Sequence, residues 1–181
     1  MPDLTLRPAT ASDAPAIASL HTASWRDAYA AILDPDFLAG PIEADRLELW
    51  IRRLREPGPD QIVQVAETRD GEVVAFICAY LDASPEWGSH VDNLHVSPTL
   101  RGKGVGETLL RLAASLLESQ GARGGLHLWV FEKNRAGLRF YERLGGRVVG
   151  QTESRMPTAA PGEISLRVHW RTLREVASPA G

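Results

Sequence analysis

Leu4 and Leu6 alternate with polar residues ahead of Arg7-Pro8, the period-two pattern of a short strand. Ser12 or Asp13 then caps a helix that carries Ala14, Ile17, Ala18 and Leu20 on one face. The helical pattern continues over Trp25 to Leu33 and stops near Asp34-Pro35. A third helical segment, Glu43 to Arg55, places Leu47, Trp50, Ile51 and Leu54 at helical spacing, and Pro57-Gly58-Pro59 ends it. Ile62 to Thr68 and Val73 to Leu81 read as strands joined by the Asp70-Gly71 hairpin signal. The second of them is apolar throughout, as expected of a strand covered on both faces. A loop over Asp82 to Gly88 and a strand over His90 to Val96 follow. Val105, Leu109, Leu110, Leu112, Leu116 and Leu117 form a helical stripe closed by Gly121 to Gly125. The pattern then predicts a strand over Leu126 to Phe131 and a helix over Asn134 to Leu144. Two late strands, Arg147 to Glu153 and Ile164 to Trp170, are joined by a proline-containing loop. This order predicts an α/β fold, a mixed sheet with helices on both faces. We read one domain over residues 1–173 and a loose tail over 174–181.

Composition narrows the function. The chain has 181 residues, 44% hydrophobic and 24% charged, and a net charge of −3. An acidic chain gives no support for nucleic-acid binding. Its mild acidity leans toward a cationic binding partner. The single cysteine, Cys78, lies in an apolar run and reads as an inert buried thiol, without a disulfide or zinc framework. No histidine pair has metal-ligand spacing, so no metal is expected. The longest apolar run is too short to span a bilayer, and no signal-peptide core is seen, so a cytoplasmic location is expected.

The chemistry lies in Arg101-Gly102-Lys103-Gly104-Val105-Gly106, between a strand and an amphipathic helix. A glycine-rich turn opening a helix offers free N–H groups and positive potential to a phosphate. The turn is not a nucleotide P-loop, because Glu107 and Thr108 follow the last glycine where Lys and Ser or Thr are required. Nor does it match the G-x-G-x-x-G dinucleotide pattern.

The spacing that does fit, R-x-x-G-x-G over Arg101, Gly104 and Gly106, resembles the acyl-coenzyme-A loop of GNAT N-acetyltransferases. Residues Leu6 to His21, the run S-W-R-D-A-Y-A-A-I-L with D-P-D-F-L, and Glu132 to Gly146 resemble other segments of that family in order. Where the family usually ends its second cofactor motif Gly-Phe, this chain has Gly145-Gly146, which reads as a looser helix end. The resemblance covers residues 3 to 172. It implies a mostly antiparallel twisted sheet with a parallel, splayed strand pair at the cofactor site. It also implies an acetyl-CoA-dependent N-acetyltransferase with an amine acceptor, either a small molecule or a peptide.

By the same resemblance, the backbone near Leu94 and Val96 holds the pantetheine arm, and the Val96 N–H polarises the thioester carbonyl. Arg101, Gly102, Lys103, Gly104, Val105 and Gly106 hold the pyrophosphate. Asn134 reaches the cofactor from the other side, a position that equally suits a helix N-cap. Tyr141 is the acid for the leaving thiolate, or else a packed aromatic. His95 is the first candidate for the base, with Asp92 and Glu67 behind it. Trp25 and Tyr29 line the acceptor wall, or simply pack between helices. Three readings compete with this one: a non-catalytic acyl-CoA sensor, a different phosphate binder, and a longer-chain acyl donor. A homodimer through the late strands is compatible with the sequence.

Overall fold

The computed structural model describes residues 3–177. Its strands are β1 (Leu4–Pro8), β2 (Gln61–Thr68), β3 (Val73–Ser84), β4 (Gly88–Val96), β5 (Leu126–Phe131), β6 (Arg147–Glu153) and β7 (Ile164–Trp170). The helices are α1 (Ala14–Ala28), α2 (Pro35–Ala39), α3 (Ile42–Arg55), α4 (Val105–Ser119), α5 (Arg135–Arg143) and α6 (Leu173–Ala177). The strands form one seven-stranded sheet in the order β1-β2-β3-β4-β5-β7-β6. Every pairing is antiparallel except β4 with β5. No helix among the described residues is long and apolar enough to cross a membrane.

Both sheet faces are covered, for the reason visible in the sequence. The α4 stripe, Val105, Leu109, Leu110, Ala113 and Leu117, packs on Ile77, Ala79, Leu126 and Leu128 from one face. From the other, Ile17 of α1 and Trp50 of α3 pack on Val63, Val65, Phe76 and Cys78. Burial pushes the Cys78 thiol up to about 12, which suits an inert core residue.

Three expectations change. The loop after residue 81 shrinks to a tight hairpin, because β3 runs on to Ser84 and β4 begins at Gly88. Residues 29–34 leave the helix, and α1 ends at Ala28. The tail is ordered over residues 174–177: Leu173 and Val176 are buried in the core with α4. Residues 178–181 of that expected tail lie outside the described residues.

Glycines set the register where β4 meets β5. Gly88 has φ +78°, and a Cβ there would lie 2.3 Å from the Gly125 carbonyl oxygen. The Ser89 N–H donates to that same oxygen at 2.9 Å. We predict that Gly88→Val destabilises the fold by about 3 kcal/mol, from positive-φ strain plus overlap with backbone that cannot move aside. Urea unfolding checks this; an unchanged midpoint would refute it.

The Gly145-Gly146 end of α5 is not loose. Gly145 has φ +85°, and the Gly146 N–H donates to the Tyr141 carbonyl at 2.9 Å. A Cβ on Gly146 would meet Val168 Cγ1 at 2.6 Å and Trp170 Cζ2 at 2.7 Å. The Trp170 indole N–H donates to the Leu144 carbonyl at 2.8 Å. An aromatic from β7 thus fills the space and closes the helix end.

Candidate active site

Beta-4 and β5 pair over only three positions, Ser89–Val91 with Leu126–Leu128. Beyond Val91 the two strands part, while β4 stays paired to β3 through Val96. The Ser97 N–H donates to the Val74 carbonyl at 2.8 Å. Backbone groups alternate in direction along a strand, so the N–H and C=O of Val96 and Leu94 face the gap. A wedge lined by β4 backbone that has no partner strand on that side therefore opens in the middle of the sheet. The strand's pairing skips Asp92, which bulges out to meet Arg53 at 2.7 Å.

At the mouth of the wedge sits the glycine turn. Gly102 and Gly104 have φ +74° and +84°, conformations that glycine adopts without cost. The first turn of α4 closes with the Thr108 N–H on the Gly104 carbonyl at 3.0 Å. The N–H groups of Val105, Gly106 and Glu107 therefore have no acceptor within the helix. Gly106 lets the helix approach: a Cβ there would lie 3.4 Å from both Phe140 and Val96 side chains. Arg101 reaches back along the cleft, its Nε 3.4 Å from the Val96 carbonyl and its guanidinium paired with Asp27 of α1.

These residues border a cleft of about 680 Å³ that also takes in Leu94, His95, Asn134 and Tyr141. Lys103 and Val105 lie outside its lining. The Lys103 side chain is exposed and that of Val105 is buried in the core, so from Val105 only the backbone is available. Asn134 caps α5, its Oδ1 accepting the Gly137 N–H at 3.0 Å, and it lines the same cleft as Tyr29. The cap and the cleft lining are thus the same residue.

A second cleft of about 960 Å³ opens on the α1/α3 side. Five residues line both: Tyr29, Leu94, His95, Trp129 and Tyr141. Trp25 lines the second only, under the guanidinium of Arg46 at 4.5 Å. Burial pushes both the Tyr141 and the Tyr29 hydroxyls above the usual phenol range, so each holds its proton at neutral pH.

The three base candidates fare differently. His95 stands at the junction, but its ring is nearly buried and its Nδ1 pairs with the Ser24 hydroxyl at 2.9 Å. Burial first, and the Arg101 charge second, push it down to about 3, so it is a neutral and weak base. Asp92 faces the second cleft already paired to Arg53. Glu67 lines neither cleft; it is tied to Arg7, which also holds Asp13. Among the described residues no group of three or more His, Cys, Asp or Glu is arranged to hold a metal ion.

Sequence reasoning missed Trp129, which looked like one more strand residue. Its neighbours Leu128 and Val130 are buried whereas Trp129 is 38% exposed, turned toward both clefts. Alternation along β5 could have marked it.

Comparison with known proteins agrees with this geometry. The acetyltransferase (GNAT) family model matches residues 18–146. The chain belongs to the GNAT acetyltransferase family. It is therefore an acyltransferase, as its relatives are. It is 31% identical over 118 residues to the peptidyl-lysine N-acetyltransferase YjaB of Salmonella typhimurium, covering 65% of this chain and 70% of that one. It is 32% identical over 105 residues to a streptothricin acetyltransferase of Streptomyces lavendulae, covering 56% of this chain and 53% of that one. The fold is shared with the PaiA N-acetyltransferase of Thermoplasma acidophilum, solved in complex with coenzyme A: TM-score 0.73 at 19% identity, over 93% of this chain and 99% of that one.

Proposed function

We propose that this GNAT acetyltransferase moves an acetyl group from acetyl-CoA to a primary amine by direct attack. The observation that carries the reading is that two clefts, one floored by a glycine turn, meet at Tyr141, His95 and Leu94. One cleft suits a long phosphate-bearing donor, and the other suits an acceptor.

The donor end follows from the chain's own groups. The N–H groups at the start of α4 and the Arg101 guanidinium face a pyrophosphate, with Asp27 released as the phosphate takes its place. The wedge-facing backbone of Leu94 pairs with the amides of the pantetheine arm in a strand-like ladder that ends at Val96, whose carbonyl the Arg101 Nε holds. The Val96 N–H then donates to the thioester oxygen as charge gathers there.

In the reaction the amine nitrogen attacks the carbonyl carbon, a C–N bond forms and the C–S bond breaks. Tyr141 donates its O–H to the departing sulfur. The proton that the nitrogen sheds passes through water to the Tyr141 oxygen and replaces the one given to sulfur, so the balance closes and Tyr141 ends as it began. At its ordinary pKa of ~10.4 a lysine-like amine is mostly protonated, so a route for its proton raises the rate. With His95 held down near 3, that route is water in the acceptor cleft, with His95 and Ser24 orienting it.

Thermal unfolding tests the donor. Acetyl-CoA at ~100 times its Kd should stabilise the protein by about 2.7 kcal/mol, while magnesium-ATP and NAD should not. A shift with magnesium-ATP alone would make the turn a nucleotide site and overturn the reading.

A further inference from the structure

We propose that the acceptor is an amine that also carries a carboxylate, of the size of an amino acid, and that Arg167 binds that carboxylate. This deepens the proposed function and rests on it.

Six charged residues line the acceptor cleft: Asp45, Arg46, Arg53, Asp92, Arg155 and Arg167. Both carboxylates are used within the protein, Asp45 by Arg46 and Asp92 by Arg53. Arg155 is exposed at the rim. Arg167 is different. Its guanidinium lies over two indole rings, 4.6 Å from Trp87 and 4.5 Å from Trp129, and forms no ion pair among the described residues. Its Nε is buried without a hydrogen-bond partner. A buried donor left unsatisfied is costly, and the terminal nitrogens of the same guanidinium, which form no hydrogen bond among the described residues, are the atoms a ligand in the cleft can reach.

The position is built for access. On one side of Arg167 in the sheet stands Trp129, and on the other Gly150. Gly150 has no side chain and nothing lies within 4 Å of where a Cβ would be, so that flank of the guanidinium is open. The charge is felt: Arg167 helps to lower His90, His127 and His169, which keeps those neighbours neutral. A planar fork clamped on aromatic faces is preorganised for a carboxylate. Trp129 is one of the five residues at the cleft junction, and Arg167 is its cross-strand partner, about 5 Å away. A carboxylate held on Arg167 therefore lies across the Trp129 indole from the junction where the amine reacts. The local excess of cations reverses the preference for a purely cationic amine that the chain's net charge suggested.

The test compares lysine, glutamate and phenylalanine with their α-carboxamides as acceptors, for the wild type, Arg167→Met and Arg167→Lys. The amide's less basic amine has the larger free fraction, so a preference for the acid cannot come from amine ionisation. For the best acceptor, the wild type should favour the acid over the amide by at least about tenfold in kcat/KM. Arg167→Met should erase that ratio through KM, Arg167→Lys should keep part of it, and both should bind acetyl-CoA as the wild type does. Acetylation of acid and amide alike by the wild type, or of a diamine in preference to both, would overturn the carboxylate assignment and leave acetyl transfer standing. Acetyl-CoA binding with no transfer to any amine would overturn both.

Discussion

Tyr141→Phe should lower kcat about 100-fold while leaving the Kd for acetyl-CoA within about threefold of wild type. A positioned general acid contributes at least that much, and the change removes one oxygen and nothing else. The fold should not suffer, because the Tyr141 hydroxyl makes no protein hydrogen bond among the described residues; the ring keeps its contacts with Phe140 and Trp170. Steady-state kinetics and calorimetry on the same samples separate the two quantities. A variant that turns over normally would remove Tyr141 from the chemistry. One that loses its fold would make it a packing residue, the other role its place in the sequence allows.

The second large effect is on stability against acid. All five histidines, His21, His90, His95, His127 and His169, are held below their ordinary range, with burial the leading cause in each. His95 falls to about 3 and His127 to about 4. His21 accepts the Trp50 indole N–H at 3.0 Å on Nδ1, which puts its proton on an Nε2 with no partner. A group whose folded pKa lies below its unfolded value stabilises fully above the unfolded pKa, here about 6.5. The unfolded chain takes up protons below that point and the fold does not, so stability falls as the pH falls.

Each such histidine removes about 1.4 kcal/mol per pH unit, and the three most buried together about 4. From about pH 6.5 to 5 that is about 6 kcal/mol, against a total of roughly 5–15 kcal/mol, so the fold should be lost between about pH 5 and pH 4. Asp13 acts lower: Arg7 holds it at about 2, so its contribution is lost only below about 4. Denaturant midpoints measured from pH 7.5 to 4 check this, and His127→Asn should flatten the slope by one proton. Stability that stays level to pH 4.5 and drops only in the carboxylate range would contradict it.

Much of this was legible in the chain because local rules govern it. The α4 stripe and the Asp70-Gly71 hairpin are set by periodicity and turn chemistry, and both stand where the pattern put them. The glycine turn is legible because its backbone angles demand glycine at 102 and 104. What escaped depends on contacts between distant segments. The parting of β4 from β5 cannot be seen in either strand's composition. His95 resembled a base in sequence, and only its enclosure by α1 and the Arg101 charge shows how weak a base it is. The environment of Arg167 needs Trp87 from one hairpin and Trp129 from another strand. Leu173 and Val176, three apart, did carry a helical signal that the short tail concealed.

The most direct measurement is release of the coenzyme A thiol from acetyl-CoA, with and without an amine acceptor, in the wild type and in Tyr141→Phe. The structure predicts thiol release that depends on the amine, matches the N-acetylated product mole for mole, and falls about 100-fold in the variant. Tight acetyl-CoA binding with no amine-dependent release would contradict it, and would make the protein an acyl-CoA sensor built on an acetyltransferase fold.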